Sequence, residues 1–416
     1  MNEKVKIIPP EIEEKLSLAN TYKILNSQLD LLLSDKEKAF VREIQEFCID
    51  LEPKIDFAKD VYELFPHYGK RGFMQRLNPW KEFTDAGCKY EMLLAINNGM
   101  MDPEMELART ASSILCGNPT FQHGTTPEIQ KVQDDLWSGN KIGCIAMTEE
   151  NHGTDTVNME CHADVVEDGY KFTGTKIFTT NGPKADYFLG YACVDNGDPR
   201  GTMVQAILKR DWGITTERLN INVVNRVHIG KTYYNAAKVP KEYILGQPGK
   251  GYRYLFDGLV PERLVITGAN LGICWGALIN GIIYSNMRNQ FGKPIMKYQA
   301  VSYPFADLLY RVSSATMAAF KIAEIYDEKV LKAENVPKEI HKASAQWSGQ
   351  IKFLCAKLAA ECAYETQQLM GGVSVTDNTR LARLTGASNI QEVIGGSRGV
   401  MKLIMSGNLK KMMNLL

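Results

Sequence analysis

The chain lacks the short motifs that most often hold nucleotides or carry hydrolytic chemistry. No GxGxxG follows a strand-like run and no GxxxxGK[ST] is present, which excludes a Rossmann fold and a P-loop as nucleotide binders. HExxH is also absent. A nucleotide, if one is bound, must therefore be held by less generic segments.

The chain also has no excess of charge of one sign and no regularly spaced cysteines. Lys+Arg and Asp+Glu both number 48, so no basic excess favours a nucleic acid or an anionic membrane as the main partner. The nine cysteines include no Cys-x-x-Cys pair, and Cys161 beside His162 has no further ligands at metal-binding spacing. We therefore predict reduced thiols and no metal. Met1 to Val5 begin neither a signal nor a transit peptide, and we expect a cytoplasmic protein.

One long uncharged run needs an explanation. Residues 264–283 are long enough to span a bilayer, but they include four glycines and several polar side chains. Gly268, Gly272 and Gly276 fall on one helix face, which permits close helix packing. We interpret the run as the buried central helix of a bundle, with a membrane span as the lesser alternative.

The pattern of apolar, charged and β-prone residues divides the chain into three predicted domains. Residues 1–142 and 246–416 have helical patterns, whereas residues 143–245 contain β-prone runs. Asp168-Gly169 lies between two of these runs and predicts a hairpin. The predicted helices are 36–51, 91–98, 127–138, 261–290, 301–332, 337–370 and one after Gly399, and the predicted strands are 161–167, 170–178, 187–194, 203–208 and 232–239.

Four segments in order resemble the acyl-CoA dehydrogenase family, from about residue 115 to 410. Residues 146–155 (AMTEENHGTD) are similar to A-x-T-E-x-x-x-G-S-D, and 174–182 (GTKIFTTNG) to G-x-K-x-[WFY]-I-T-N-[GA]. Residues 288–299 (RNQFGKPIMKYQ) match R-x-x-F-G-x-x-I-x-x-x-Q, and 368–372 (QLMGG) is the fourth. The resemblance implies a mostly α protein with an N-terminal helical domain, a middle β-barrel or sandwich domain, and a C-terminal four-helix bundle.

The resemblance also implies FAD as cofactor and a role for each matching residue. Met147 and Thr148 would lie along the flavin, Phe178 would stack near its ring, and Thr180 would contact N5, which receives the hydride. Thr154 would lie by the phosphates or the CoA. The alternative for each is an ordinary threonine or core aromatic. The full set of expected cofactor-binding residues is Ile145, Met147, Thr148, Thr154, Phe178, Thr179, Thr180, Arg288, Phe291, Gln299, Gln368, Gly371, Gly372 and Ser397.

Arg288 cannot serve the same reactive centre as Glu262. If both lie on one helix, 26 residues separate them by about 39 Å. Family members are tetramers in which this arginine, with Gln368, Gly371 and Gly372, meets the adenosine diphosphate part of a neighbouring subunit's FAD. The resemblance therefore implies a homotetramer, or a homodimer. A solvated cation at a helix end is the alternative for Arg288.

The catalytic base must be a carboxylate in a dry pocket facing the flavin. Many family members place it in a Y-E-G-T segment, where this chain has Gly395 at the Glu position and Ser397 at the Thr position. The isovaleryl-CoA and long-chain branches place it in x-E-R-L, which is Glu262-Arg263-Leu264 here. We predict Glu262 as base, Pro261 at the first helical position, Arg263 beside the substrate, and the Gly395 N–H as a donor to the thioester oxygen. Glu392 is the rival base in an ungapped alignment.

The expected activity is α,β-dehydrogenation of an acyl-CoA, with an electron-transfer flavoprotein as acceptor. We expect a branched, cyclic or otherwise bulky acyl group. An enoyl-CoA reductase, a decarboxylating dehydrogenase or a desulfinase is the first alternative, and a non-catalytic flavin- or CoA-binding protein is the second. Arg109 could meet a second substrate carboxylate, although a surface pair with Glu106 is the favoured interpretation.

Overall fold

The computed structural model describes residues 6–195 and 197–412. This part of the chain forms two compact units. One, here called the helical unit, comprises residues 6–56, 88–106 and 264–412, and the other, the β-containing unit, comprises residues 57–87 and 107–263. The predicted boundaries after residues 142 and 245 bracket the main sheet, but the three-domain division stays a prediction.

Helices account for most of the chain outside residues 143–240. Several begin with a side-chain cap: Ser34 and Glu37 form a reciprocal capping box, and Thr126 accepts from the Ile129 N–H ahead of Pro127. The α-helices are α1 (Pro10–Lys15), α2 (Leu18–Leu29), α3 (Asp35–Leu51), α4 (Phe65–Lys70), α5 (Cys88–Met101), α6 (Pro103–Arg109), α7 (Gly117–His123), α8 (Pro127–Trp137), α9 (Pro199–Thr202), α10 (Gly251–Met287), α11 (Gln299–Tyr326), α12 (Lys338–Met370), α13 (Leu381–Gln391) and α14 (Arg398–Met412).

A seven-stranded sheet forms the core of the β-containing unit, in the order β1-β4-β2-β3-β7-β6 with β5 paired to β4. The predicted hairpin at Asp168-Gly169 is confirmed, because the second and third strands pair antiparallel there. The strands are β1 (Gly143–Ala146), β2 (His162–Val166), β3 (Gly169–Thr180), β4 (Tyr187–Val194), β5 (Met203–Lys209), β6 (Ile214–Arg218) and β7 (Ile229–Pro240), and a separate hairpin joins β8 (Asn289–Gln290) and β9 (Lys293–Pro294).

The long helix α10 begins ten residues earlier than predicted. It starts at Gly251, so the placement of Pro261 at the first helical position, and of Glu262 in the first turn, is wrong. Pro261 lies inside the helix, where its missing N–H removes one backbone hydrogen bond. Burial of Leu255, Leu259 and Leu264 on both sides of it favours continuation of the helix.

The glycine face of α10 packs against α5, as predicted. A Cβ at Gly272 would lie 2.3 Å from the Ile96 carbonyl oxygen, and one at Gly268 would lie 2.8 Å from that of Met92. This approach is possible only without side chains. α10 is also long and apolar enough to cross a membrane, but 89% of its most apolar window is buried inside the fold. The bundle-core interpretation of residues 264–283 is confirmed.

Two further predictions concern side chains away from the sheet. The surface placement of Arg109 is wrong: it is fully buried, and its Nη1 donates to the Met74 carbonyl oxygen at 2.7 Å. A buried guanidinium is unfavourable unless its N–H groups are hydrogen-bonded. The Met74 carbonyl oxygen accepts from one of them. All nine cysteines are free and buried.

Candidate functional site

The segment after β1 lies against an irregular part of β3. The Ile177 N–H donates to the Thr148 carbonyl oxygen at 2.7 Å, which joins the first family-like segment to the second. Ile145, Met147 and Thr148 are half-buried, so each retains a surface for a ligand. Thr154 is exposed in the loop that follows. The structure thus brings Thr148 close to the β3 residues that sequence analysis grouped with it.

β3 has a bulge at its most family-like residues. Its register with β7 shifts between Lys176 and Thr179, and Phe178 between them has a φ of 57°. A bulky residue rarely adopts this left-handed conformation, and such strain is concentrated at functional sites. The Phe178 side chain is 60% exposed, so it is not the core aromatic of the alternative interpretation. Thr180 is half-buried beside it, whereas the Thr179 side chain is buried.

A buried ion pair supports both segments and was not assigned a role from sequence. Lys176 Nζ lies 2.7 Å from Glu149 Oε1, and their side chains are 0% and 4% exposed. The Glu149 carboxylate also accepts the N–H groups of Glu160 and Cys161. A paired and hydrogen-bonded buried charge fixes position. Glu149 and Lys176 both lie in the family-like segments, so membership of these segments was the sequence feature that could have indicated their role.

Asn181 directly follows β3 and is a third residue that sequence analysis gave no role. Its Nδ2 donates to the carbonyl oxygens of Ala108 and Gly143, and its Oδ1 accepts from the Tyr62 hydroxyl. Its φ is 67°, a conformation that asparagine tolerates better than most residues. These bonds fix the backbone immediately after Thr180.

Glu262 and Arg263 are adjacent and buried in the β-containing unit. Glu262 is 2% exposed and Arg263 is 4% exposed. Burial lowers the pKa of the Arg263 guanidinium from its ordinary value, and the charge of Glu262 opposes this shift.

In the helical unit, four of the predicted residues line one pocket of about 410 Å³. Arg288 supplies a cation, Gln368 supplies an amide, and Gly371 and Gly372 supply open backbone. No atom lies within 4 Å of a Cβ built at either glycine, and Gly371 has a φ of 70°. The remaining wall is largely apolar and comes from Ile7, Ile8, Pro9, Ile12, Tyr284, Gln290, Ile295, Leu369, Met370 and Val373.

Phe291 lies at the tip of the β8–β9 hairpin. Phe291 and Gly292 have φ values of 51° and 81°, as in a two-residue turn with both central residues left-handed. The Phe291 side chain is 94% exposed. An aromatic residue held in a strained, exposed position is a candidate contact for a ligand or a second chain. Gln299 is exposed at the start of α11.

Gly395 lies in the turn between α13 and α14, where its φ is 62° and that of Gly396 is 103°. Ser397 follows and is half-buried. Glu392, the rival base, is already engaged: both its carboxylate oxygens accept from Arg398 Nη2 at 2.8 Å. Arg398 therefore occupies both oxygens of this carboxylate.

The residues present fit FAD. Arg288 and the glycine backbone provide donors for a diphosphate, and the isoleucine wall suits a flat apolar base. In the β-containing unit, the exposed Phe178 ring and the half-buried Thr148 and Thr180 provide a stacking surface with hydrogen-bonding groups beside it. Each unit carries its own group of predicted residues.

Comparison with known proteins supports the resemblance to the acyl-CoA dehydrogenase family. The family model "Acyl-CoA dehydrogenase, middle domain" matches residues 144–232, and "Acyl-CoA dehydrogenase, C-terminal domain" matches residues 249–410. The isovaleryl-CoA dehydrogenase of Bos taurus is 30% identical over 303 residues, which cover 72% of this chain and 68% of the relative. The 2-methylacyl-CoA dehydrogenase of Solanum tuberosum is 27% identical and covers 95% and 97%.

A solved structure supports the same fold. Butyryl-CoA dehydrogenase from Megasphaera elsdenii superposes with a TM-score of 0.82 at 25% sequence identity. The match covers 91% of this chain and 98% of that one. The helical N- and C-terminal parts and the middle sheet therefore form an acyl-CoA dehydrogenase fold, as predicted.

Proposed function

Because this chain belongs to the acyl-CoA dehydrogenase family of FAD-dependent oxidoreductases, we propose that it oxidises an acyl-CoA thioester to the 2-enoyl-CoA. FAD, when bound, accepts the two electrons and the β hydrogen that the substrate loses. The chain's own residues must then bind the thioester, polarise its carbonyl and remove the α proton. The observation that carries the proposal is the buried pair Glu262-Arg263.

Glu262 is the proposed base. Its carboxylate is almost completely removed from water, which favours the protonated product of the transfer. The α proton moves to a Glu262 carboxylate oxygen, and adjacent Arg263 would lie beside the substrate. The chain has Gly395 where many family members have their base, and Glu392 is bound to Arg398. Glu262 therefore best satisfies the chemistry.

The Gly395 N–H is the proposed donor to the thioester oxygen. Negative charge grows on this oxygen as the α proton leaves, so a fixed N–H donor stabilises the transition state more than the ground state. Thr148 and Thr180 would orient the flavin, and Arg288, Gln368 and the adjacent glycines would hold the adenosine diphosphate part. Thr154 would contact the phosphates or the CoA.

A branched, cyclic or otherwise bulky acyl group is the proposed substrate class. Glycine at 395 removes the volume of a glutamate side chain. Relatives that align with most of this chain are named for isovaleryl-CoA and 2-methylacyl-CoA. The proposed electron acceptor is an electron-transfer flavoprotein.

We further propose a homotetramer. Exposed apolar side chains repeat every seven residues on α11, where Tyr303, Tyr310 and Met317 are 59%, 61% and 49% exposed. Trp347 and Leu354 repeat in the same way on α12. Such stripes favour helix association. A second copy would also explain a phosphate site at Arg288, about 39 Å along α10 from Glu262. Light scattering measures the mass directly, and a monomer of 46.6 kDa with FAD bound would contradict this assembly.

Anaerobic titration of the purified FAD-loaded protein tests the reaction. Straight, branched, cyclic and dicarboxylic acyl-CoAs are added in turn while the flavin absorbance is recorded. We expect bleaching by one class, strongest for a branched or cyclic chain. If none bleaches the flavin but a 2-enoyl-CoA reoxidises the chemically reduced protein, the enzyme is a reductase. A protein that does neither would contradict the proposed activity.

A further inference from the structure

A buried lysine lies beneath the turn that contains Gly395. Lys352 is in the C-terminal half of the bundle, on α12, and is 1% exposed. Its Nζ donates to the Gly396 carbonyl oxygen at 2.9 Å and to the Glu392 carbonyl oxygen at 3.3 Å. A buried ammonium is costly unless it is hydrogen-bonded, so these carbonyl contacts are strongly favoured.

The two accepting carbonyl groups flank the segment that carries Gly395. One precedes Gly395 by three residues and the other follows it by one, so the short segment between them is held at both ends. Peptide groups are planar, so the two bonds also fix the N–H groups of Val393 and Ser397, and the Gly395 N–H lies in the segment between them. Gly395 and Gly396 both have positive φ values, 62° and 103°. A glycine pair that no contact holds would change readily to other backbone conformations.

Lys352 also places a cation beneath this turn. The Glu392 side chain is bound to Arg398, and Lys352 contacts the backbone oxygen of Glu392 instead. A cation beneath this turn makes the local potential positive. Inside a protein such a potential stabilises developing negative charge more strongly than it would in water.

We propose that Lys352 is a positioning residue for the dehydrogenation, which holds the Gly395 N–H toward the thioester oxygen and adds positive potential there. This inference rests on the proposed function. Lys352 acts through the 392–396 turn, whereas Glu262 takes the proton. Lys352→Met keeps the length of the side chain and removes both the charge and the donors.

Lys357→Met is the matched control, because Lys357 is on the same helix, is half-exposed and lies 3.5 Å from Glu361 at the surface. Two quantities are measured for each variant. The first is the limiting rate of flavin reduction by the acyl-CoA that best bleaches the wild type. The second is the infrared carbonyl frequency of its enoyl-CoA product, labelled with carbon-13 at the thioester carbonyl and bound to the oxidised protein.

We expect Lys352→Met to retain FAD, to lose about tenfold to hundredfold in reduction rate, and to shift the carbonyl band back toward that of the free thioester. Lys357→Met should match the wild type in both. An unchanged band in Lys352→Met would overturn the inference, whatever the rate. If that variant does not fold, the carbonyl band is measured for Lys352→Gln, whose neutral amide still donates. An unchanged band in Lys352→Gln would then overturn the inference. A wild type that no acyl-CoA bleaches would instead overturn the proposed function.

Discussion

Adding one methyl group to α10 should have opposite effects at two glycines. At Gly272 a Cβ would lie 2.3 Å from the Ile96 carbonyl oxygen and 3.0 Å from the Met100 nitrogen, whereas at Gly258 no atom lies within 4 Å. An ordinary C···O contact is about 3.3–3.6 Å, so α5 and α10 must separate by roughly 1 Å in Gly272→Ala. Both neighbours are backbone atoms and cannot rotate away.

The magnitudes follow from the competing contributions. Overpacking costs about 1–3 kcal/mol, and alanine gains about 1 kcal/mol over glycine inside a helix. We expect Gly272→Ala to lower the free energy of unfolding by up to about 2 kcal/mol and Gly258→Ala to raise it by about 0.5–1 kcal/mol. Urea unfolding followed by circular dichroism, at one protein and FAD concentration, measures both. A shift in the same direction for the two variants would refute the packing argument.

The remaining predictions concern charge, strain and pH. Lys176→Met leaves the Glu149 carboxylate buried without its cation and should lower the free energy of unfolding by about 3 kcal/mol in the same urea assay; no loss would mean that the pair is not buried. Phe291→Asn suits the left-handed turn, so it should raise the unfolding midpoint yet speed FAD release, measured by flavin fluorescence; faster release without a higher midpoint would contradict the strain argument. Burial raises the pKa of Asp60, but hydrogen bonds, first that from His228, lower it overall from 3.8. Its stabilising contribution should be present above pH 3.8 and be lost as the pH falls through the lowered pKa, and Asp60→Asn should remove this part of the acid-unfolding curve; an identical curve would argue against it.

Local signals in the sequence predicted much of the fold. The hairpin at Asp168-Gly169, the capped start of α8 at Pro127 and the glycine face of α10 all depend on residues close in sequence. The start of α10 could not be predicted in this way. Proline favours a helix start locally, but burial of the residues around Pro261 outweighs this preference.

The candidate site also has features that could be predicted from the sequence and features that could not. The family resemblance implied that Arg288, Gln368 and the following glycines would act together, and in the structure they line one pocket. The buried side chains of Lys352 and Arg109 contact carbonyl groups that are distant in sequence, and no local pattern predicts such contacts. A lysine on a long helix is usually a solvated surface residue, so its burial is visible only in the folded chain.

The identity of the base is the central claim, and anaerobic stopped-flow reduction of Glu262→Gln and Glu392→Gln tests it most directly. Glutamine keeps the shape of each side chain and removes its ability to take a proton. We expect Glu262→Gln to bind FAD normally but to lose about 10²- to 10⁴-fold in the rate of flavin reduction by substrate, whereas Glu392→Gln retains a rate close to the wild type. An inactive Glu392→Gln beside an active Glu262→Gln would contradict the account.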